Sequence, residues 1–249
     1  TAINGALLAL NSVNGSTANP IAFYDQSLHD KARKKVEIES QMQAALANKE
    51  FQMYLQPKYY LEDECIHSAE ALVRWCSEDG TIHYPDEFIP IFEENGFITE
   101  LDMYMLEEAC RKVSGWIRQG YEAIPISVNQ SRIFFYDDDY LDKFYGIVNQ
   151  YHIDPSLIIL EVTESVAMSN LTHVKGVVRK LHNMGFTISM DDFGSGYSSL
   201  NTLKELDIAE LKLDKEFLSE QSTSPRGKMV IESIIHLAKA LSITTVAEG

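Results

Sequence analysis

From Phe51 onward the chain alternates between two hydrophobic rhythms. Short segments rich in β-branched and aromatic residues read as strands: FQMYLQP (51–57), IHSAEALVRW (66–75), IPISVN (124–129), LIILEVTE (157–164), FTISMDD (186–192), AELKLD (209–214) and ITTVAEG (243–249). Between most of them, apolar residues recur at helical spacing. Leu101, Met105, Ala109, Val113 and Trp116 share one face, ended by Gly120; Leu171, Val174, Val178 and Leu181 share another, stopped by Gly185. Val230, Ile234, Leu237 and Leu241 make a third face, and Pro85, Phe88, Ile91 and Phe92 a short apolar core helix. Alternation of this kind predicts a mostly parallel sheet, closed or open. One junction breaks the rule. The stretch around YLEDE offers only about five residues between the first two strands, whereas a parallel crossover needs a dozen or more. These two strands are therefore expected to pair antiparallel, giving a barrel-like α/β fold with one reversed strand.

The first 50 residues differ. AINGALLALNSV reads as a helix, PIAFYD (20–25) as a short strand, and DKARKKVEIESQMQAALANKEF as a charged amphipathic helix, with Gly15, Ser16 and Pro20 as punctuation. A linker or the tail of a preceding domain both fit. At 249 residues, 45% hydrophobic and 23% charged, the chain can bury a large core. It has neither an apolar run near 18 residues nor a signal-peptide pattern. The expected location is the cytoplasm, as a soluble protein or as the cytoplasmic part of a membrane-anchored one. Three cysteines without metal-ligand spacing, Cys65, Cys76 and Cys110, point to a reducing compartment. A formal net charge of -16 disfavours generic binding to DNA or RNA backbones. A phosphate ligand fits such a chain only where divalent cations reverse the local field.

The chemistry gathers at strand ends. Glu70 and Arg74 lie in the second strand, Asn129 closes the third, and Glu161 lies in the fourth with Glu164 just beyond. Asp191 and Asp192 close the fifth, Lys212 and Asp214 lie in the sixth, and Glu248 closes the seventh. Any one of these alone reads as a surface or ion-paired residue. Together they aim polar groups at one rim, where barrels of this kind place their active sites. Carboxylates and an amide around one point match a hard-cation site. The adjacent aspartates suit a pair of metals about 3.5–4 Å apart with one carboxylate bridging. Lys212 reads either as an ion pair to Asp214 or a neighbouring carboxylate, or as a cation steadying charge on a phosphate. GSGYSS, after the aspartates, lacks the third glycine of a dinucleotide fingerprint. The seven histidines show no HExxH-type spacing and read as structural, and Asp137 to Asp139 read as a solvated turn or helix start.

LQP (55–57), EALVRW (70–75), SVNQS (127–131), LEVTES (160–165), DDFGSGYSSL (191–200), LKLD (211–214) and AEG (247–249) together resemble the EAL-domain family, the phosphodiesterases of cyclic di-GMP. The resemblance runs from about Glu50 to the end of the chain. It implies a TIM-barrel-like (β/α)8 fold with one antiparallel strand, and hydrolysis of cyclic di-GMP to linear pGpG with two Mg²⁺ or Mn²⁺ ions, inhibited by Ca²⁺. Glu70, Asn129, Glu161 and Asp191 would bind one ion; Asp191, Asp192 and Glu248 would serve the second. Glu70, Lys212 and Glu248 would be catalytic, with Lys212 positioning the water. Gln56, Leu72, Arg74 and Asp192 would contact the dinucleotide. Glu164 would brace the loop that begins at Asp191, which couples to dimerisation in the family, and Ser195 stands where the family more often has threonine. The first residues resemble a GGDEF-domain end (1–26) and its joining helix (27–50), ahead of an EAL domain at 51–249, so the expected partners are an upstream GGDEF or sensor domain and a second copy. Relative to the family pattern, the chain stops before a last strand, its helix and a glutamine. The alternatives are a cyclic di-GMP receptor that binds without cutting, and a protein-interaction module.

Overall fold

A computed structural model describes residues 6–7, 9–10, 23–194 and 200–248. It divides into two compact units, Thr1–Gln52 with Arg74–Phe97, and Met53–Val73 with Ile98–Gly249.

In the first unit, helix α1 (Gln26–Ala47) opens on Asp25, whose carboxylate accepts the Leu28 N–H at 3.1 Å. Residues 23–25 are therefore a helix entry and not the end of the strand expected at 20–25, the rest of which lies outside the described residues. Ala6, Leu7, Ala9 and Leu10 are helical, as the N-terminal pattern leads one to expect. Helix α2 (Pro85–Asn95) starts with proline, uses Glu87 to accept the Tyr84 N–H at 3.1 Å, and stops at Gly96 with φ 83°. Its Phe88 and Phe92 pack with Phe51, Trp75 and Phe97, ring centroids 4.7–6.5 Å apart, and all five are buried. Trp75 donates its indole N–H to Glu50 at 2.9 Å. Lys34 to Glu87 and Lys35 to Glu94 are ion pairs on the outside of this unit.

The seven strands expected from Phe51 onward all form: β1 (Phe51–Tyr59), β2 (Ile66–Cys76), β4 (Ile126–Asn129), β5 (Ile158–Thr163), β6 (Thr187–Phe193), β7 (Glu210–Leu213) and β8 (Thr244–Ala247). An eighth, β3 (Ile82–His83), adds two residues beside the end of β2. The sheet runs β1-β2-β4-β5-β6-β7-β8, parallel from β2 to β8 apart from the β3 pair. Strand β1 runs against the others, as the short connection requires. The turn between β1 and β2 is closed by Tyr60 N–H to Cys65 O at 2.9 Å and by Asp63 accepting the Cys65 N–H at 3.0 Å.

In the second unit the strand alternation sorts two rows of side chains. Ile126, Val128, Ile158, Leu160, Val162, Ile188, Met190, Leu211 and Leu213 form the apolar row. Helices α3 (Ile98–Arg118), α5 (Glu164–Ser169) and α6 (Leu171–Asn183) pack on these strands, with Leu101, Met105, Ala109 and Val113, and then Val174, Val178 and Leu181, buried as their spacing predicts. The other row carries Ser127, Glu161, Ser189, Glu210 and Lys212, all buried as well. Burial on both faces is what a parallel sheet demands, yet one face is polar. Helix α4 (Asp138–Gln150) starts at Asp137, which caps it through the Asp139 N–H at 3.0 Å, so this acidic run is a helix start. Beyond α7 (Leu200–Glu205) and α8 (Lys215–Ser222), the face expected of α9 (Pro225–Ala240) is only partly covered. Ala238 is buried while Val230 and Leu241 stay exposed, because only part of the stripe rests on α8 and β8. No helix among the described residues is long and apolar enough to cross a membrane.

Candidate active site

Lys212 reaches from β7 into a ring of carboxylates. Its ammonium lies 3.0 Å from Glu70, 2.9 Å from Glu161, 3.0 Å from Asp191 and 2.8 Å from Glu248. Strands β2, β5 and β6 and the residue after β8 thus meet on one cation, itself 1% exposed. Asp214, offered by sequence as a partner of Lys212, instead caps α8 by accepting the Phe217 N–H at 2.9 Å. Asn129, at the end of β4, donates to Glu70 at 3.2 Å.

The two adjacent aspartates need a local device, since consecutive strand residues ordinarily face opposite ways. Strand β6 shifts register against β7 between Met190 and Phe193, and Asp192 takes φ 56°. A non-glycine residue there costs roughly 1–2 kcal/mol. Its own N–H bonds the Asp191 carboxylate at 2.8 Å. The result is a pair of overlapping acidic triads, Glu70–Glu161–Asp191 and Asp191–Asp192–Glu248, with ligand atoms of each within 4.8 Å of one another.

Charge in this cluster does not balance. Burial raises Glu70, and the neighbouring Glu161 raises it further. Burial pushes Asp191 up to about 7, and raises Asp192 with help from Glu248 and Asp214. Burial acts upward on Glu161 too, but Lys212 and Lys58 together hold it below the usual carboxylate range. Lys212 shows the mirror behaviour: burial alone would lower it, and Glu161, Asp191 and Glu70 overrule that and keep it an ammonium. Carboxylates that burial and mutual repulsion drive toward protonation are a donor set short of positive charge. Hard divalent cations with oxygen ligands fit that deficit.

Lys58 on β1 was not visible from sequence. It donates to Ser127 at 2.8 Å, Glu161 at 2.9 Å and Glu210 at 2.7 Å, and Glu210 also accepts from Ser189 at 2.9 Å. A signal was present only for its partner Glu210, which stands two residues before Lys212 on the same face of AELKLD. Asp102 of α3 was also missed: it accepts the Ser131 N–H at 3.0 Å and the Tyr140 hydroxyl at 3.3 Å, holding the turn that follows Asn129. Glu164, at the start of α5 and 4% exposed, accepts the Gly194 N–H at 3.2 Å, just past the aspartate pair. Ser195 lies outside the described residues. Gln56 on β1 is exposed, and Leu72 and Arg74 follow Glu70 at alternate positions of β2, half-buried, with the Arg74 guanidinium 5.4 Å from the Tyr84 ring centroid.

Known proteins share this arrangement of strands. The chain is 32% identical over 231 residues to the bifunctional diguanylate cyclase/cyclic di-GMP phosphodiesterase MucR of Pseudomonas aeruginosa, covering 93% of this chain and 34% of that protein. It is 31% identical over 247 residues to the cyclic di-GMP phosphodiesterase NbdA of the same organism, covering 99% of this chain and 32% of that protein. The chain thus spans about a third of the length of these curated relatives. The solved structure "PaMucR Phosphodiesterase, c-di-GMP complex" superposes with a TM-score of 0.80 at 33% identity, covering 86% of each chain. The EAL domain family model matches residues 39–249, which hold every group of the Lys212 ring, and the chain belongs to that family.

Proposed function

We propose that this chain hydrolyses cyclic di-GMP to linear pGpG. The observation that carries the reading is the ring of Glu70, Glu161, Asp191 and Glu248, drawn from β2, β5, β6 and the residue after β8, on one buried ammonium. The likeness to phosphodiesterases, one of them solved with cyclic di-GMP, supports the substrate. In the reaction a water oxygen forms a bond to phosphorus, one P–O ester bond breaks, and the departing ribose oxygen takes a proton.

Glu70, Asn129, Glu161 and Asp191 would hold one divalent cation, and Asp191, Asp192 and Glu248 a second. When bound, Mg²⁺ or Mn²⁺ supplies charge for the phosphate oxygens and acidifies water. Lys212 stays protonated among its carboxylates, so it donates and does not accept. Its part is to fix the water and the carboxylates and to balance charge on the reacting phosphate. The rim carboxylates are the groups able to receive the water's proton. Gln56, Leu72, Arg74 and Asp192 would contact the dinucleotide, and Glu164, through Gly194, would hold the chain leaving β6. In the same reading, residues 1–26 end a preceding domain and 27–50 join it to the phosphodiesterase domain.

The test incubates the protein with cyclic di-GMP in EDTA, Mg²⁺, Mn²⁺ or Ca²⁺ and separates the products chromatographically. pGpG is expected with Mg²⁺ and Mn²⁺ and not with EDTA. Ca²⁺, larger and looser in geometry, is expected to bind without supporting turnover. Dinucleotide binding with no product under any condition would make the chain a receptor instead. Absence of binding would leave only an interaction module.

A further inference from the structure

Next to Glu161 of the Lys212 ring lies a second cation, Lys58, its side chain 11% exposed, that the phosphodiesterase reading does not use. Lys58 comes from β1, the reversed strand, and its three ammonium protons meet three acceptors: Ser127 on β4, Glu161 on β5 and Glu210 on β7. Ser189 on β6 donates to the same Glu210 oxygen that Lys58 holds. Glu161, Ser189 and Glu210 are aligned across their strands, Glu161 opposite Ser189 and Ser189 opposite Glu210. One side chain of β1 therefore ties together a row drawn from four consecutive strands of the parallel sheet.

The consequence falls on Glu161. Its two oxygens are divided: Oε1 is taken by Lys58 at 2.9 Å and Oε2 by Lys212 at 2.9 Å. With Oε1 held by Lys58, rotation of the carboxylate would break one of the two bonds, and Oε2 is the oxygen given to Lys212. Groups that orient a metal-binding carboxylate in this way commonly change affinity or activity by about 10–100-fold when lost. Building on the phosphodiesterase reading, we infer that Lys58, seated by Ser127, Ser189 and Glu210, is a positioning residue that makes Glu161 a one-oxygen ligand of fixed direction. Lys58 touches neither the water nor the phosphate; it acts through Glu161.

The experiment removes the Lys58–Glu210 pair without changing net charge. In Lys58→Met/Glu210→Gln, Glu161 keeps Lys212 and loses its anchor on Oε1. Mn²⁺ binding, followed by electron paramagnetic resonance without substrate, is expected to weaken by about 10-fold or more. The kcat for cyclic di-GMP should fall by a comparable factor while KM stays close to wild type, since no substrate contact is removed. A folded double variant with wild-type Mn²⁺ affinity and kcat would overturn the inference and leave Lys58 as a staple of the fold. Ser127→Ala, which removes one Lys58 acceptor and no charge, keeps the question open to test if the double variant does not fold. It should weaken Mn²⁺ by a smaller factor, and unchanged affinity would again overturn the inference. A wild-type protein that binds Mn²⁺ but never cleaves would instead defeat the phosphodiesterase reading, with the Mn²⁺ comparison still deciding the role of Lys58.

Discussion

Two buried regions of this chain are held in opposite ways. The aromatic cluster of Phe51, Trp75, Phe88, Phe92 and Phe97 rests on non-directional burial, each ring contributing on the order of 1.5–3 kcal/mol. The charged rows around Lys212 and Lys58 start from a deficit, because each ion loses several kcal/mol of hydration on burial. Every pair there has to be present for the loss to be offset. The first region degrades by degrees when trimmed. The second is an all-partners arrangement, in which losing one member leaves the others buried without a counter-charge.

The largest expected break is Lys212→Ala. Four carboxylates would be left around an uncharged methyl, and removing one partner of a buried ion pair costs about 3–5 kcal/mol. Urea melts in EDTA should show that loss, and turnover should fall by roughly 10²–10³-fold, as for other fixed transition-state donors. Cyclic di-GMP binding should fall far less; equal losses in binding and turnover would mean that Lys212 only anchors substrate. Phe92→Ala is the counterpart in the aromatic cluster. It should cost about 3–5 kcal/mol in the same melts. Mn²⁺ affinity of the folded protein should be unchanged, and a fall in that affinity would show that the contrast between the regions is too sharply drawn.

A smaller effect is expected at Gly194. Its φ of 103° and the 2.5 Å that would separate an added Cβ from Phe217 Cγ both resist a side chain. Gly194→Ala should lower stability by about 1–3 kcal/mol. Adding Phe217→Ala should return only part of it, because the backbone strain remains; full recovery would assign the whole effect to the clash. The smallest effect belongs to the exposed pair of Lys34 with Glu87. Its hydrogen bond from Lys34, then that from the Tyr84 N–H, lowers the Glu87 carboxyl to about 2 from an ordinary 4.5. A lowered folded-state value stabilises above the unfolded one and loses that contribution as pH falls. Glu87→Gln should therefore cost less than about 1 kcal/mol at pH 7. The difference from wild type should vanish as pH drops from 4.5 to about 2, and thermal melts that diverge further on acidification would reverse the sign of this account.

Much of this is legible in the sequence. Alternation located the strands, the short YLEDE connection required the reversed one, and strand-end placement singled out Glu70, Asn129, Glu161, Asp191, Asp192, Lys212 and Glu248. Asp214 misled, because a carboxylate two residues after Lys212 on a strand shares its face only while the strand continues. Here the strand ends at Leu213 and Asp214 turns to cap a helix. Lys58 was invisible for a related reason: nothing beside Pro57 in the sequence pairs with it, and its three acceptors come from three other strands.

By itself, then, the sequence determined what is local: which segments can be strands or helices, which connection is too short to cross over, and which strands end in carboxylates. Those follow from periodicity and chain length, which neighbouring residues settle among themselves. Only the tertiary structure decided which carboxylates share one ammonium, that the bulge at Asp192 turns two consecutive aspartates to one site, and that Glu161 is divided between two lysines 51 and 103 residues away in sequence. The reason is physical. The ionisation and direction of a buried carboxylate are set by the charges packed within a few ångströms of it, and those charges arrive from strands that the sequence keeps far apart.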